Sequence, residues 1–141
     1  MTQTLPRQLT KSVVLVDDET AYLELLSQQV TENLACPVHS FSHPETALKE
    51  IAELNVGLII SDFQMPGLNG FQFVRRVQRL LPGVPVLMIT AVPEQFPEDE
   101  VLGLPALKAV VHKPFKWEEL AVHIAKHWPS VSQPPFPNDG G

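Results

Sequence analysis

One cysteine, Cys36, occurs in 141 residues, so neither an internal disulfide nor a cysteine-only zinc site can form. No apolar run approaches the ~18 residues that a membrane-spanning helix requires. The first twenty residues hold no apolar stretch behind a basic start, so no secretory signal is read there. Charge is scarce at 18%, against a usual ~25%, and positive charge is scarcer still. Ten Lys and Arg stand against sixteen Asp and Glu, a net charge of −6. That deficit excludes the basic footprint of a nucleic-acid module. The length suits one domain, and 44% hydrophobic residues argue against wholesale disorder. The expectation is a soluble, cytoplasmic, single-domain protein without nucleic-acid or membrane partners. Proline breaks the pattern of scarcity, with fourteen residues, about twice average usage.

Along the chain, short apolar blocks alternate with helix-period stretches. Val13 to Val16 is a continuous β-branched run, as expected of a strand buried on both faces. Leu23, Leu26, Val30 and Leu34 then fall on one helical stripe, which Pro37 ends. Val38 to Phe41 offers a second strand. Ser42-His43-Pro44-Glu45 has the form of a capping box opening a second helix through Leu54. The third strand is Val56 to Ile60, ending at Ser61-Asp62. A third helix through Phe73, Val77 and Leu81 closes at Pro82-Gly83, and Val84 to Ile89 is strand four, ending at Thr90. Pro93, Pro97 and Pro105 leave room only for a short fourth helix around Glu98 to Leu102. Ala109 to His112 is strand five, ending at Lys113-Pro114, and a last helix spans 117–128. Residues 1–10 read as a flexible leader and 129–141, with four prolines, as a Pro-rich disordered tail or interdomain linker.

Five strand–helix units in strict alternation predict a doubly wound α/β fold with a parallel sheet. In such sheets ligands bind outside the carboxyl ends of the strands. Those ends carry Asp17-Asp18, Asp62, Thr90 and Lys113. One Asp after a strand usually caps a helix or makes a turn; four of five strand ends with such groups are not capping alone. Three carboxylates brought together repel unless a cation joins them. All-oxygen ligation suits a hard divalent ion such as Mg²⁺ (or Mn²⁺). A carboxylate beside such an ion can attack phosphorus, with Lys113 and Thr90 serving the phosphoryl oxygens. Setting Asp17, Asp18, Glu19 and Asp62 aside leaves a net charge of only −2, so most of the acidity lies in this pocket.

Lys11-Ser12-Val13-Val14-Leu15-Val16-Asp17-Asp18-Glu19, Asp62-Phe63-Gln64-Met65-Pro66-Gly67-Leu68-Asn69-Gly70, Ile89-Thr90-Ala91 and His112-Lys113-Pro114-Phe115 together resemble the CheY-like receiver domain of two-component response regulators, over residues 11–128. The resemblance implies a flavodoxin-like (βα)5 fold with strand order 2-1-3-4-5. It implies phosphorylation of Asp62 by a histidine kinase or phosphotransfer protein. It further implies Mg²⁺ held by Asp17, Asp18, Asp62 and the Gln64 backbone carbonyl, phosphoryl contacts from Thr90 and Lys113, and a cis-peptide candidate at Lys113–Pro114. Such a module is a phosphorylation-switched signalling protein rather than an enzyme. Its output runs through protein–protein contact at the face of helix four, strand five and helix five, with a homodimer as one form.

Two departures stand out. Receivers usually carry Tyr or Phe three residues before the lysine, where Val110 stands here; valine is too short and too stiff at χ1 to swing as a ring does. The prolines also predict a shortened or distorted fourth helix and hence a reshaped output face. Two other classes compete. A receiver-like scaffold without phosphoryl turnover draws support from Val110. A haloacid dehalogenase-type phosphotransferase needs a second Asp two residues after the first, and Gln64 occupies that place. Glu119, His123 and His127 have a metal-compatible helical spacing, but a solvated helix face is the simpler reading. Arg75, Arg76 and Arg79 read as surface, Trp117 and Trp128 as packing residues, and Cys36 as a small half-buried apolar group.

Overall fold

The computed structural model describes residues 11–91 and 96–129. The expected leader, most of the expected tail, and Pro93 lie outside the described residues. Five strands, β1 (Ser12–Val16), β2 (Val38–Phe41), β3 (Val56–Asp62), β4 (Val86–Thr90) and β5 (Leu107–His112), alternate with five helices. These are α1 (Thr20–Asn33), α2 (Pro44–Ile51), α3 (Gly70–Leu80), α4 (Glu98–Leu102) and α5 (Trp117–His127). All strands are parallel and the order is β2-β1-β3-β4-β5, so the flavodoxin-like arrangement is present with its switch between β1 and β3.

The continuous apolar runs arise because each strand feeds two cores. On one side Val14, Val16, Ile59 and Met88 pack with Leu48, Ile51, Phe73 and Val77 of α2 and α3. On the other, Val13, Leu15, Ile60 and Ile89 pack with Leu26 and Val30 of α1 and Leu120 and Ile124 of α5. Alternate residues of one strand therefore serve opposite cores. Trp128 closes the second core and is 6% exposed. Its ring lies where a Cβ on Gly57 would fall, at 2.9 Å, so β3 needs glycine there to seat the indole.

Local signals differ from expectation in several places. The capping box at Ser42 does not form: His43 is the N-cap of α2, and Pro44 takes the first helical position, where its fixed φ and missing N–H cost nothing. Glu45 thus falls one place short of the box position, and the Ser42 hydroxyl sits 3.0 Å from His43 Nδ1 instead. Strand β4 begins at Val86 rather than Val84, because Pro85 has no N–H for the ladder; its carbonyl accepts from Ile59 N at 3.0 Å. Strand β5 starts at Leu107, with a register shift that passes over Lys108. Helix α4 is short, as the prolines predict, running five residues between Pro97 and Gly103. Arg75 and Arg76 are not merely solvated: they pair with Glu100 of α4 at 2.8 Å and Glu45 of α2 at 2.9 Å.

Truncating Trp128 to alanine should cost about 3–5 kcal/mol of stability. Placing alanine at Gly57 should cost about 1–3 kcal/mol by overpacking against the same ring. Equilibrium denaturant unfolding checks both, and unchanged midpoints would remove the indole from the account of the core.

Candidate functional site

Parallel pairing decides which side chains meet. Val16 is in register with Ser61, Asp62 with Ile89, and Thr90 with His112, so β1, β3, β4 and β5 all end at one edge of the sheet. The backbone ties the ends together: Asp17 N donates to Phe41 O at 3.1 Å, Phe63 N to Ile89 O at 3.0 Å, and Lys113 N to Thr90 O at 2.7 Å. Each predicted side chain arrives within this frame.

Asp17, Asp18 and Asp62 each present a carboxylate oxygen within 4.8 Å of the others. Asp17 and Asp62 are buried, at 2% and 7% exposure, and Asp18 is half-buried. Lys113 reaches into the group, with Nζ 2.9 Å from Asp62, 3.4 Å from Asp17 and 3.8 Å from Glu19. Thr90, at 1% exposure, lines the same pocket of about 640 Å³ together with Asp18, Asp62, Gln64 and Lys113. The Lys113–Pro114 peptide is cis. Val110 lies on β5 opposite Met88 and is half-buried against the α2–α3 core.

The electrostatics follow from burying more negative than positive charge. Desolvation raises the Asp17 carboxyl above the ordinary value; the Glu19 N–H, donating to Asp17 Oδ1 at 2.9 Å, works against this, and the neighbouring Asp62 charge adds to it. Desolvation likewise raises Asp62, opposed by its hydrogen bond and ion pair with Lys113 and reinforced by the charges of Asp18 and Glu19. Burial alone would lower the Lys113 ammonium, but the bond to Asp62 and the charges of Asp17 and Asp62 outweigh it and hold its pKa high. One ammonium therefore faces three carboxylates, and hard oxygen donors in excess suit a divalent cation.

Further neighbours complete the surroundings of the site. The Tyr22 ring of α1 lies over Lys113 Nζ, 4.2 Å from centroid to nitrogen, and meets Phe115 edge-on at 6.3 Å. Phe63, adjacent to Asp62, packs with Phe71 and Phe96, with centroids 4.6–5.0 Å apart. Asn69 and Gln72 form a reciprocal capping box at the start of α3, at 3.0 and 2.9 Å. The pair could have been found from its Asn-x-x-Gln spacing. It fixes the loop from Phe63 to Asn69, which the Gly70 N–H to Phe63 O bond closes at 2.8 Å. By contrast, Glu119, His123 and His127 form no metal-competent group among the described residues, where only the three aspartates do. Cys36 is half-buried and its thiol is pushed up to about 11, which leaves it unreactive at neutral pH. No helix among the described residues is long and apolar enough to cross a membrane.

The family model described as the response regulator receiver domain matches residues 13–125. The phosphate regulon transcriptional regulatory protein PhoB of Escherichia coli is 29% identical over 119 residues, covering 82% of this chain and 51% of the relative. The DNA-binding response regulator MtrA of Mycolicibacterium smegmatis is 32% identical over 117 residues, covering 82% of this chain and 50% of the relative. The chain thus spans about half the length of these curated relatives. Among solved structures, the response regulator TrrA of Thermotoga maritima, in complex with Mg²⁺ and BeF, is similar with a TM-score of 0.73 and 26% identity; the match covers 82% of this chain and 97% of that one. The arrangement of strand ends and the match over most of the sequence agree, and the chain belongs to the response regulator receiver domain family.

Proposed function

We propose that this receiver accepts a phosphoryl group on Asp62 from a histidine kinase or phosphotransfer protein. The observation that carries the reading is the pocket itself: three carboxylates within 4.8 Å facing one lysine held 2.9 Å from Asp62. In the transfer, an Asp62 carboxylate oxygen forms a bond to phosphorus while the phosphorus–nitrogen bond of the donor's phosphohistidine breaks. The electron pair leaves with the imidazole, and an acyl phosphate remains. Lys113 balances charge on the phosphoryl oxygens, and the Thr90 hydroxyl donates a hydrogen bond to them. Asp17, Asp18, Asp62 and the Gln64 carbonyl are the residues that would hold Mg²⁺. Bound there, the ion would neutralise the carboxylates and the phosphoryl oxygens. The Asp62 carboxylate at the pocket, paired with Lys113 at 2.9 Å, supports this reading over a scaffold without turnover.

Val110 cannot report the phosphoryl group by a ring rotation, and α4 is only five residues long. The output surface of α4, β5 and α5 is accordingly proposed to select its protein partner, or a second copy of the chain, through a shape of its own. Hydrogen exchange over residues 96–110 checks this. Beryllofluoride should change protection mainly around Phe96 and the α4 ends; equal changes through β5, or none around α4, would contradict it.

Incubation with acetyl phosphate and Mg²⁺ should give a single phosphoryl adduct by intact mass, lost in Asp62→Asn. No adduct, together with no beryllofluoride binding, would leave the scaffold reading in its place.

Metal binding should also show a pH signature. Asp17 and Asp62 have raised pKa values in the fold, so the folded chain binds their protons more readily than the unfolded chain does. Where both are ionised the metal-free fold bears that cost, which is relieved as pH falls through the raised values. At neutral pH, about 10 mM Mg²⁺ should therefore raise Tm by roughly 3 °C or more. The increment should shrink as pH falls toward the carboxylate range. Asp17→Asn should remove most of the increment while raising the metal-free Tm, since asparagine keeps the oxygen that accepts from Glu19 N. Thermal scans with and without Mg²⁺ over pH measure both.

A further inference from the structure

Lysine is a long, flexible cation with three rotatable donors, and a lysine serving a phosphoryl group has to be confined on the side facing away from that group. Lys113 Nζ is held by Asp62 at 2.9 Å and by Asp17 at 3.4 Å. The same ammonium lies over the ring of Tyr22, 4.2 Å from nitrogen to centroid, inside the ~6 Å range of a cation–π contact. Lys113 lines the pocket that holds Asp62 and Thr90, and Tyr22 is not among the lining residues, so the ring meets the ammonium without itself facing that space.

We propose that Tyr22 is a positioning residue for the phosphoryl transfer assigned to Asp62: its ring face backs the Lys113 ammonium and holds it aimed into the carboxylate pocket before the phosphoryl group arrives.

The inference rests on that reading of the site and adds to it a residue outside the strand ends. Three features make the contact more than chance packing. The ring is itself oriented, since Phe115 meets it edge-on at 6.3 Å and 67°. Phe115 follows Lys113 by two residues, so lysine and ring buttress leave β5 together. Tyr22 also lies in the first turn of α1, directly after the Asp17–Glu19 segment, so the helix that follows the acidic pair delivers the ring. The Lys113 side chain is 13% exposed, and this partial desolvation strengthens the attraction between ammonium and ring. The ring face carries the effect; the hydroxyl does not.

The test uses the full chain and two variants, Tyr22→Phe, which keeps the ring face, and Tyr22→Leu, which removes it. The first readout needs no phosphoryl group. The Lys113 Cε protons should be shifted upfield by the ring current in NMR spectra of the wild type and Tyr22→Phe, and should return to the random-coil position in Tyr22→Leu. The second readout is beryllofluoride affinity and the rate of phosphorylation by acetyl phosphate. Both should fall about five-fold or more in Tyr22→Leu and stay within about two-fold in Tyr22→Phe. Mg²⁺ affinity without beryllofluoride should hold within about two-fold in both variants, since the carboxylates are untouched; loss of Mg²⁺ binding in Tyr22→Leu would count against a role confined to the lysine. The proposal is overturned if Tyr22→Leu binds beryllofluoride as tightly as the wild type, or if Tyr22→Phe loses as much as Tyr22→Leu. If the wild type binds no beryllofluoride and takes up no phosphoryl group, the reading of Asp62 fails and the proposal with it. An upfield lysine signal would then mark packing alone.

Discussion

Repulsion among Asp17, Asp18 and Asp62 is the constraint on which the carboxyl edge of this molecule is organised. The apolar sheet would be more stable without three acids at its rim, two of them almost fully buried. Burial raises both of those carboxyls, and the only cation within ion-pair reach of them, among the described residues, is Lys113. The pairing needs β5 next to β4 and β1 next to β3, because lysine and aspartates come from positions 96 and 51 residues apart in the chain. Strand order thus sets the charge balance, and the charge balance leaves a shortfall suited to a divalent ion and a phosphoryl group.

The surroundings stiffen this edge in unlike ways. The Asn69–Gln72 capping box starts α3 and fixes the loop after Asp62. The Phe63, Phe71 and Phe96 rings join that loop to the segment entering α4. Gly70 stands so close to Phe63 and Met88 that a Cβ would lie within 3.0 Å of both side chains. A short α4 is tethered to α3 by Arg75 and Glu100, an exposed pair worth less than about 1 kcal/mol. The pocket is therefore rigidly framed on the α3 side and lightly fastened at α4.

Much of this was legible in the sequence because the signals are local. The Val13–Val16 run reads as a doubly buried strand because burial on both faces needs apolar residues without alternation. The strand-end acids and Lys113 are adjacent to those runs, and proline spacing limits α4 through geometry that any helix obeys. What could not be read depends on distant contacts or competing local chemistry. Ser42 and Glu45 match a capping box, but Pro44 moves the helix start by one residue. Arg75 and Arg76 look solvated until α3 is laid beside α2 and α4. Tyr22 is one more polar-faced residue on α1 until β5 brings a lysine from 91 positions away beneath its ring.

The indole of Trp128 has a consequence beyond its share of the core. It meets Gly57 near the start of β3, and the Lys11 Cβ would crowd a side chain at the same glycine at 3.0 Å. Lys11 and Trp128 are thus neighbours at the amino edge of the sheet, the full length of the strands away from the aspartates. The first and last stretches of the described body meet on the side of the sheet that faces away from the acidic pocket. A label carried on Lys11, at that amino edge, would leave the pocket open to a phosphodonor. Two labels, one at Lys11 and one beside Trp128, would sit close enough to report their separation without touching the aspartates.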